Sequence, residues 1–263
     1  MTSLARGAAV NRVPHIVLSY WVIKIAATTL GETGADMFSM TLGLGYASTI
    51  LVFLAVFLAA LGAKLALRRY TAFSYWSVFT ATAILGTALS DFLDRTVGMG
   101  YAAGSALLVA LLLLTLGAWY LKERSLSVER IETTGAELFY WLAFLVANTL
   151  GTAAGDFLSD DLAIGFVLSA SIIAGLLLFI AAAHYTTRIS GILLFWLAFV
   201  LTRPFGATFG DLLTKPVSHG GLDLGTYGAS AFFAMVMAMA LWREARVEAV
   251  RVVVSPTERG GER

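Results

Sequence analysis

Residues 20–38 read YWVIKIAATTLGETGADMF, and the pattern returns at 75–93 (YWSVFTATAILGTALSDFL), 140–158 (YWLAFLVANTLGTAAGDFL) and 195–213 (FWLAFVLTRPFGATFGDLL). Each copy fits aromatic-Trp-x9-Gly-x4-Asp without a gap. The set comprises Trp21, Trp76, Trp141 and Trp196; Gly31, Gly86, Gly151 and Gly206; and Asp36, Asp91, Asp156 and Asp211. Self-similarity of this kind marks a repeat architecture. The tryptophans lie 55, 65 and 55 residues apart, so repeats one and two form a half that matches repeats three and four. A further glycine follows each Asp, at Gly45, Gly100, Gly165 and Gly225. The last is displaced by a five-residue insertion around Ser218–Leu222.

Working outward, each motif segment is followed by a second apolar run, at roughly 43–62, 101–121, 162–183 and 225–242. Only 13% of the 263 residues are charged and 59% are hydrophobic, against about a quarter charged in an ordinary soluble domain. That excludes soluble, disordered and fibrous classes. A spanning helix needs about 20 apolar residues, so the chain is expected to be an all-α integral membrane protein with eight transmembrane helices. Two helices per repeat return every repeat to the same side. This predicts four parallel two-helix repeats, in two matching halves, about an axis along the membrane normal. A single membrane domain over 1–263 divides into repeats of about 14–69, 70–121, 134–187 and 188–243. A polar connector lies at 122–137 and a tail at 244–263. The first apolar stretch contains Lys24 and the repeated motif, and is read as a retained helix rather than a cleaved signal.

Basic residues set the orientation. Arg6, Arg12, Lys64, Arg68, Arg69, Lys122, Arg124, Arg130, Arg188, Arg243, Arg246 and Arg251 cluster on the tryptophan side, while the opposite loops carry only Arg95 and Lys215. A multi-pass protein of the cell inner membrane with both termini cytoplasmic is expected. Trp at the start of a spanning helix reads as an interfacial anchor. The absence of cysteine excludes disulfides and thiolate metal sites, and a net charge of +1 argues against a nucleic-acid partner.

Counting from each Trp, positions +7, +11 and +15 share one helix face. They read Thr28, Glu32, Asp36; Ala83, Thr87, Asp91; Asn148, Thr152, Asp156; and Arg203, Ala207, Asp211. Ten of these twelve are polar, in helices otherwise built of Leu, Ala, Val and Phe. Such a stripe should face the bundle interior, because facing lipid is costly. Fifteen residues place each Asp about 22 Å from its Trp, which puts four carboxylates at one level with Glu32 a turn deeper. Lys24 and Arg203 lie within the same helices as counter-charges for Glu32 or an Asp. The glycines read as close-packing positions; alternatively, GETGAD and GTAAGD loosen the helix beside the Asp.

With these four copies, the chain resembles a family of bacterial membrane proteins made of four tandem repeats of unknown function. Each family repeat has two transmembrane segments and a characteristic tryptophan. The resemblance covers roughly residues 14–242 and implies the same fold; family members look like candidates for efflux. It supplies no substrate and no site residue. Lys24, Glu32, Arg203 and the fourth-repeat insertion depart from strict repetition.

The chemistry expected of the stripe is secondary transport or export of an inorganic cation. Oxygen donors without thiolates suit a hard divalent ion of the Mn²⁺ or Mg²⁺ kind. Asp36, Asp91, Asp156, Asp211 and Glu32 are the candidate metal ligands, with Thr87, Asn148 and Thr152 as further oxygen donors. No cofactor is expected; a divalent metal would be bound as substrate. The alternatives are a proton-coupled exporter of a small organic solute, or a passive ion channel. The partners expected are the lipid bilayer and the transported cation or small molecule. Small residues are compatible with a homo-oligomer. An enzyme is not expected: His15, His184 and His219 are scattered, and the stripe holds no Ser–His pair and no His pair at metal spacing.

Overall fold

The apolar runs close into helices, since within a bilayer every backbone polar group must find its partner inside the segment. A computed structural model describes residues 11–128 and 131–254. These contain α1 (Leu18–Asp36), α2 (Gly45–Leu67), α3 (Ala72–Asp91), α4 (Tyr101–Glu123), α5 (Thr134–Asp156), α6 (Phe166–Thr186), α7 (Gly191–Thr214) and α8 (Gly225–Val254), and no strand. Arg6, Arg130 and the tail beyond Val254 lie outside the described residues. Seven of the eight helices are long and apolar enough to cross a membrane. The exception is α1, where Lys24, Glu32 and Asp36 dilute the apolar sequence, and all three are buried.

The motif helices α1, α3, α5 and α7 each pack against two others, in the cyclic order α1–α3–α5–α7–α1. The second helices lie outside them, with α2 against α3, α4 against α5, α6 against α7 and α8 against α1. Inside and outside differ in burial: 78% of the apolar window of α3 is covered, but only 22% of that of α2. Each second helix thus seals the next repeat, and α8 brings the chain back to its first helix.

The repeated glycines set how closely the inner helices approach. A Cβ added at Gly86 would lie 3.0 Å from Cβ of Asn148, one at Gly31 would strike Ala83, one at Gly151 would strike Arg203, and one at Gly206 would strike Thr28. In each case the +10 glycine of one repeat receives the +7 residue of the next, and the fourth repeat receives the first. The second glycine of each repeat has another function. Gly45, Gly100, Gly165 and Gly225 have φ of 74°, 72°, 78° and 71° where the outer helices begin, a conformation that favours glycine.

Just after the Asp, the helix widens in three repeats. The N–H of Leu42, Val97 and Leu162 donates to the carbonyl five residues earlier, of Met37, Phe92 and Phe157, at 2.8, 2.8 and 3.0 Å. This is the local loosening that the glycine-rich segments suggested, displaced to the turn after the Asp. In the fourth repeat α7 stays regular to Thr214, then Lys215 turns extended (φ −70°, ψ 152°) into a short turn at Val217–His219.

The tryptophan end is an aromatic interior. Trp76, Trp141 and Trp196, expected as interfacial anchors at helix starts, are buried and pack inward, as does Trp119, while Trp21 is partly buried. Trp242 alone among the six is well exposed, with Arg246 3.8 Å from its ring. Tyr75 forms hydroxyl–hydroxyl hydrogen bonds with Tyr20 at 3.4 Å and with Tyr140 at 2.6 Å. One turn on, at +3, Phe79, Phe144 and Phe199 meet, with ring centroids 3.9 Å apart for Phe144 and Phe199. Glu137, assigned from sequence to the polar connector, instead sits in the first turn of α5. It is buried there, 2.9 Å from Arg12 and 3.2 Å from Lys64. The carboxylate suits that helix N-terminus, and two of the bases read as topological markers are its partners.

Gly206→Ala drives a methyl into Thr28 and is expected to destabilise the protein by about 1–3 kcal/mol, the usual effect of overpacking. Gly117→Ala, where nothing lies within 4 Å of the added atom, should hold or raise stability. Thermal unfolding of the detergent-solubilised protein compares the two.

Candidate functional site

Above the phenylalanine layer the ring turns polar, in steps of four residues along each inner helix. At +7 stand Thr28, Ala83, Asn148 and Arg203; at +11 Glu32, Thr87, Thr152 and Ala207; at +15 the four aspartates; and at +19 Met40, Arg95, Asp160 and Lys215. All residues of the +7, +11 and +15 layers are buried, as a polar stripe in an apolar bundle requires.

Arg203 organises the middle of the track. Its guanidinium donates to Glu32 Oε2 at 3.0 Å, to the Thr28 carbonyl at 3.1 Å, and to the Thr87 hydroxyl. Thr87 passes a hydrogen bond to Glu32 Oε2 at 3.3 Å and lies 3.5 Å from the Thr152 hydroxyl. Asn148 turns away, donating to Thr82 Oγ1 at 3.0 Å, and is not brought to the carboxylates. Lys24 also stands apart. It donates to the Phe199 carbonyl at 2.9 Å and to the Thr202 hydroxyl, with its ammonium 3.9 Å from the Phe199 ring centroid. Among the described residues no carboxylate pairs with it, so it occupies the fourth place in the +3 aromatic layer as a cation held by ring faces and oxygens.

The four aspartates form two pairs, each sharing a base. Lys215 lies 2.7 Å from Asp36 and 3.2 Å from Asp211. Arg95 lies 3.3 Å from Asp91 and 3.5 Å from Asp156. Both bases sit four residues after the Asp of an even-numbered repeat and reach across to the Asp of an odd-numbered neighbour. Sequence reasoning assigned them to loops as topological markers. The signal that finds them is the +19 step, which continues the stripe by one more turn. For Lys215, burial alone would lower the pKa, but the carboxylates of Asp211 and Asp36 outweigh it and hold the ammonium above the ordinary lysine range.

The five carboxylates expected as one metal-ligand set are therefore divided. Glu32, Asp36 and Asp211 bring carboxylate oxygens within 4.8 Å of one another, close enough to share one ion. Asp91 and Asp156 belong to Arg95. A cavity of ≈ 380 Å³ opens above both pairs, lined by Arg95, Tyr101, Asp160, Phe166, Lys215 and His219. The residues present can therefore hold a hard cation through oxygen, or exchange protons, behind the two bases that line this cavity.

Set beside known proteins, the chain matches the family described as Repeat of Unknown Function (DUF347) four times, at residues 19–70, 74–125, 139–190 and 194–249. No curated protein and no solved structure matches it.

The two buried cations should respond oppositely to substitution. Arg203→Met strands Glu32 without its base and should destabilise by about 3–5 kcal/mol, as breaking a buried pair does. Lys24→Phe strands no acid and completes the aromatic layer, so it should stabilise by on the order of 1–4 kcal/mol. Thermal midpoints of the purified variants check both, and a Lys24→Phe midpoint as low as that of Arg203→Met contradicts the pairing.

Proposed function

The chain belongs to the DUF347 repeat family, and from that premise we propose that it is a secondary transporter whose substrate is a small inorganic cation, preferably divalent. All eight helices cross the inner membrane, as four parallel repeats about the membrane normal. The charges of α1 are compatible with spanning because the ring covers them. The basic residues near the tryptophans put both termini in the cytoplasm, and the cavity lined by Arg95, Lys215 and His219 then opens on the opposite side.

The observation that carries this reading is the convergence of Glu32, Asp36 and Asp211 to within 4.8 Å, buried, with Lys215 between two of them and the cavity it lines. Charge favours a divalent ion. With Lys215 withdrawn, three carboxylates against the Arg203 guanidinium leave two negative charges, which one divalent ion neutralises. The donors are all oxygen, which suits Mg²⁺ or Mn²⁺ rather than soft metals. Below the track, Phe79, Phe144 and Phe199 with the Lys24 ammonium in the fourth place form a layer that opposes passage of a cation towards the tryptophan end.

Inside-out membrane vesicles containing the protein should take up Mn²⁺ or Mg²⁺. Losing even a residue that only hydrogen-bonds to a metal ligand weakens metal affinity by about 10–100-fold. Asp36→Asn and Asp211→Asn remove direct donors and should reduce uptake by at least that much. Uptake unchanged in both variants overturns the cation site. A solute-driven proton flux with no metal requirement would instead favour a proton-coupled exporter.

A further inference from the structure

The two base-linked aspartate pairs are alike in plan and unlike in restraint. Arg95 stands within the widened helical turn after Asp91. Besides its two aspartates it donates to the Tyr101 hydroxyl at 3.1 Å and to the Tyr46 hydroxyl at 3.5 Å. Its four partners come from four helices, α2, α3, α4 and α5. Lys215 follows the last residue of α7, on extended backbone three residues before the fourth-repeat insertion. Among the described residues, its ammonium has only Asp36 and Asp211 as polar partners. It also lines the cavity, so a cation arriving through that cavity meets Lys215 at the carboxylates it would occupy.

A second feature points to a ligand at the same place. Asp211, one of the three converging carboxylates, is 3% exposed, and among the described residues its Oδ1 has no hydrogen-bond partner. The Lys215 ammonium lies 3.2 Å from that oxygen. A buried acceptor left open is costly, and here it belongs to the cluster itself.

We propose that Lys215 is a tethered counter-cation that occupies the carboxylate cluster when no substrate is bound and so allows the empty transporter to reorient. This rests on the cation-transport reading and adds its mode. A carrier with neither substrate nor Lys215 in the cluster holds two uncompensated negative charges in a low-dielectric interior, and moving it between its two orientations is strongly disfavoured. With Lys215 in place only one remains. The wild-type protein therefore completes a cycle with an empty return step and carries net flux. A protein lacking the ammonium reorients only when loaded, and exchanges one ion for another without net movement.

The test uses the purified full chain in proteoliposomes loaded with radiolabelled Mn²⁺ and diluted into buffer with unlabelled Mn²⁺ (exchange) or without divalent cation (net efflux). Wild type should show both. Lys215→Gln and Lys215→Met should keep exchange, which also reports that they fold, and lose net efflux by at least about tenfold, as expected for uncompensated buried carboxylate. Lys215→Arg, which keeps the charge, should carry net efflux. Net efflux at the wild-type rate in the neutral variants, or loss of exchange in both, overturns the role of Lys215. Absence of both activities from the wild type overturns the transport reading itself, and with it this one.

Discussion

Four helices can enclose a line of carboxylates only if they come close enough to exclude lipid, and the glycine ten residues after each tryptophan sets that approach. Its missing side chain makes room for the +7 residue of the next repeat: Ala83, Asn148, Arg203 and finally Thr28. This last contact joins the fourth repeat to the first and closes the ring. The ring in turn permits Lys24, Glu32, Arg203 and four aspartates to be buried in a chain with few charges to spend. Helix association inside a bilayer draws little from the hydrophobic effect and depends on close packing and polar contacts. Here the glycine contact provides the packing, and the stripe it encloses provides the polar contacts.

Burial then imposes pairing. Five carboxylates at the heart of the ring require bases, and three cations reach them: Arg203 for Glu32, Lys215 for Asp36 and Asp211, and Arg95 for Asp91 and Asp156. Because each base at +19 serves two aspartates, the four-repeat layout becomes two-fold in its charges, as the halves of the sequence are. Lys24 is the exception, a cation that replaces a ring of the aromatic layer instead of meeting an acid.

The repeats, the helix pairs and the inward polar face were legible because each follows from a period: the motif spacing, the length of a bilayer span and the four-residue step. What was not legible depends on where a side chain turns at a helix end. Trp76 and Trp141 look in sequence like interfacial anchors, since an aromatic at a helix start has the same one-letter pattern whether it faces headgroups or a neighbouring ring. Arg95 and Lys215 look like loop charges because they follow the apolar segment, although the widened turn in one case and the prolonged α7 in the other bring them back over the aspartates. Glu137 belongs to α5 rather than the connector because its partners, Arg12 and Lys64, come from distant parts of the chain. The division of the aspartates into pairs follows from those bases, and could not be read while they were counted as topology.

The departures from strict repetition collect in one place. Lys24 and Glu32 lie on α1, and Arg203, Pro204 and Lys215 lie on α7 or immediately after it; α1 and α7 are neighbours in the ring. At the opposite contact, between α3 and α5, the plan is simpler: two aspartates and the arginine between them. Chain connectivity sharpens the contrast. Each other inner contact is bridged by an outer helix of the same chain: α1 to α3 through α2, α3 to α5 through α4, and α5 to α7 through α6. Among the described residues no such connector runs between α7 and α1, where α8 packs across. Side chains join that contact instead: Arg203 to Glu32 and the Thr28 carbonyl, Lys24 to the Phe199 carbonyl and Thr202, and Lys215 to Asp36. The residues that depart from strict repetition therefore supply, at the contact that closes the ring, the links that an outer helix gives the other three, and the cluster of three carboxylates lies among them.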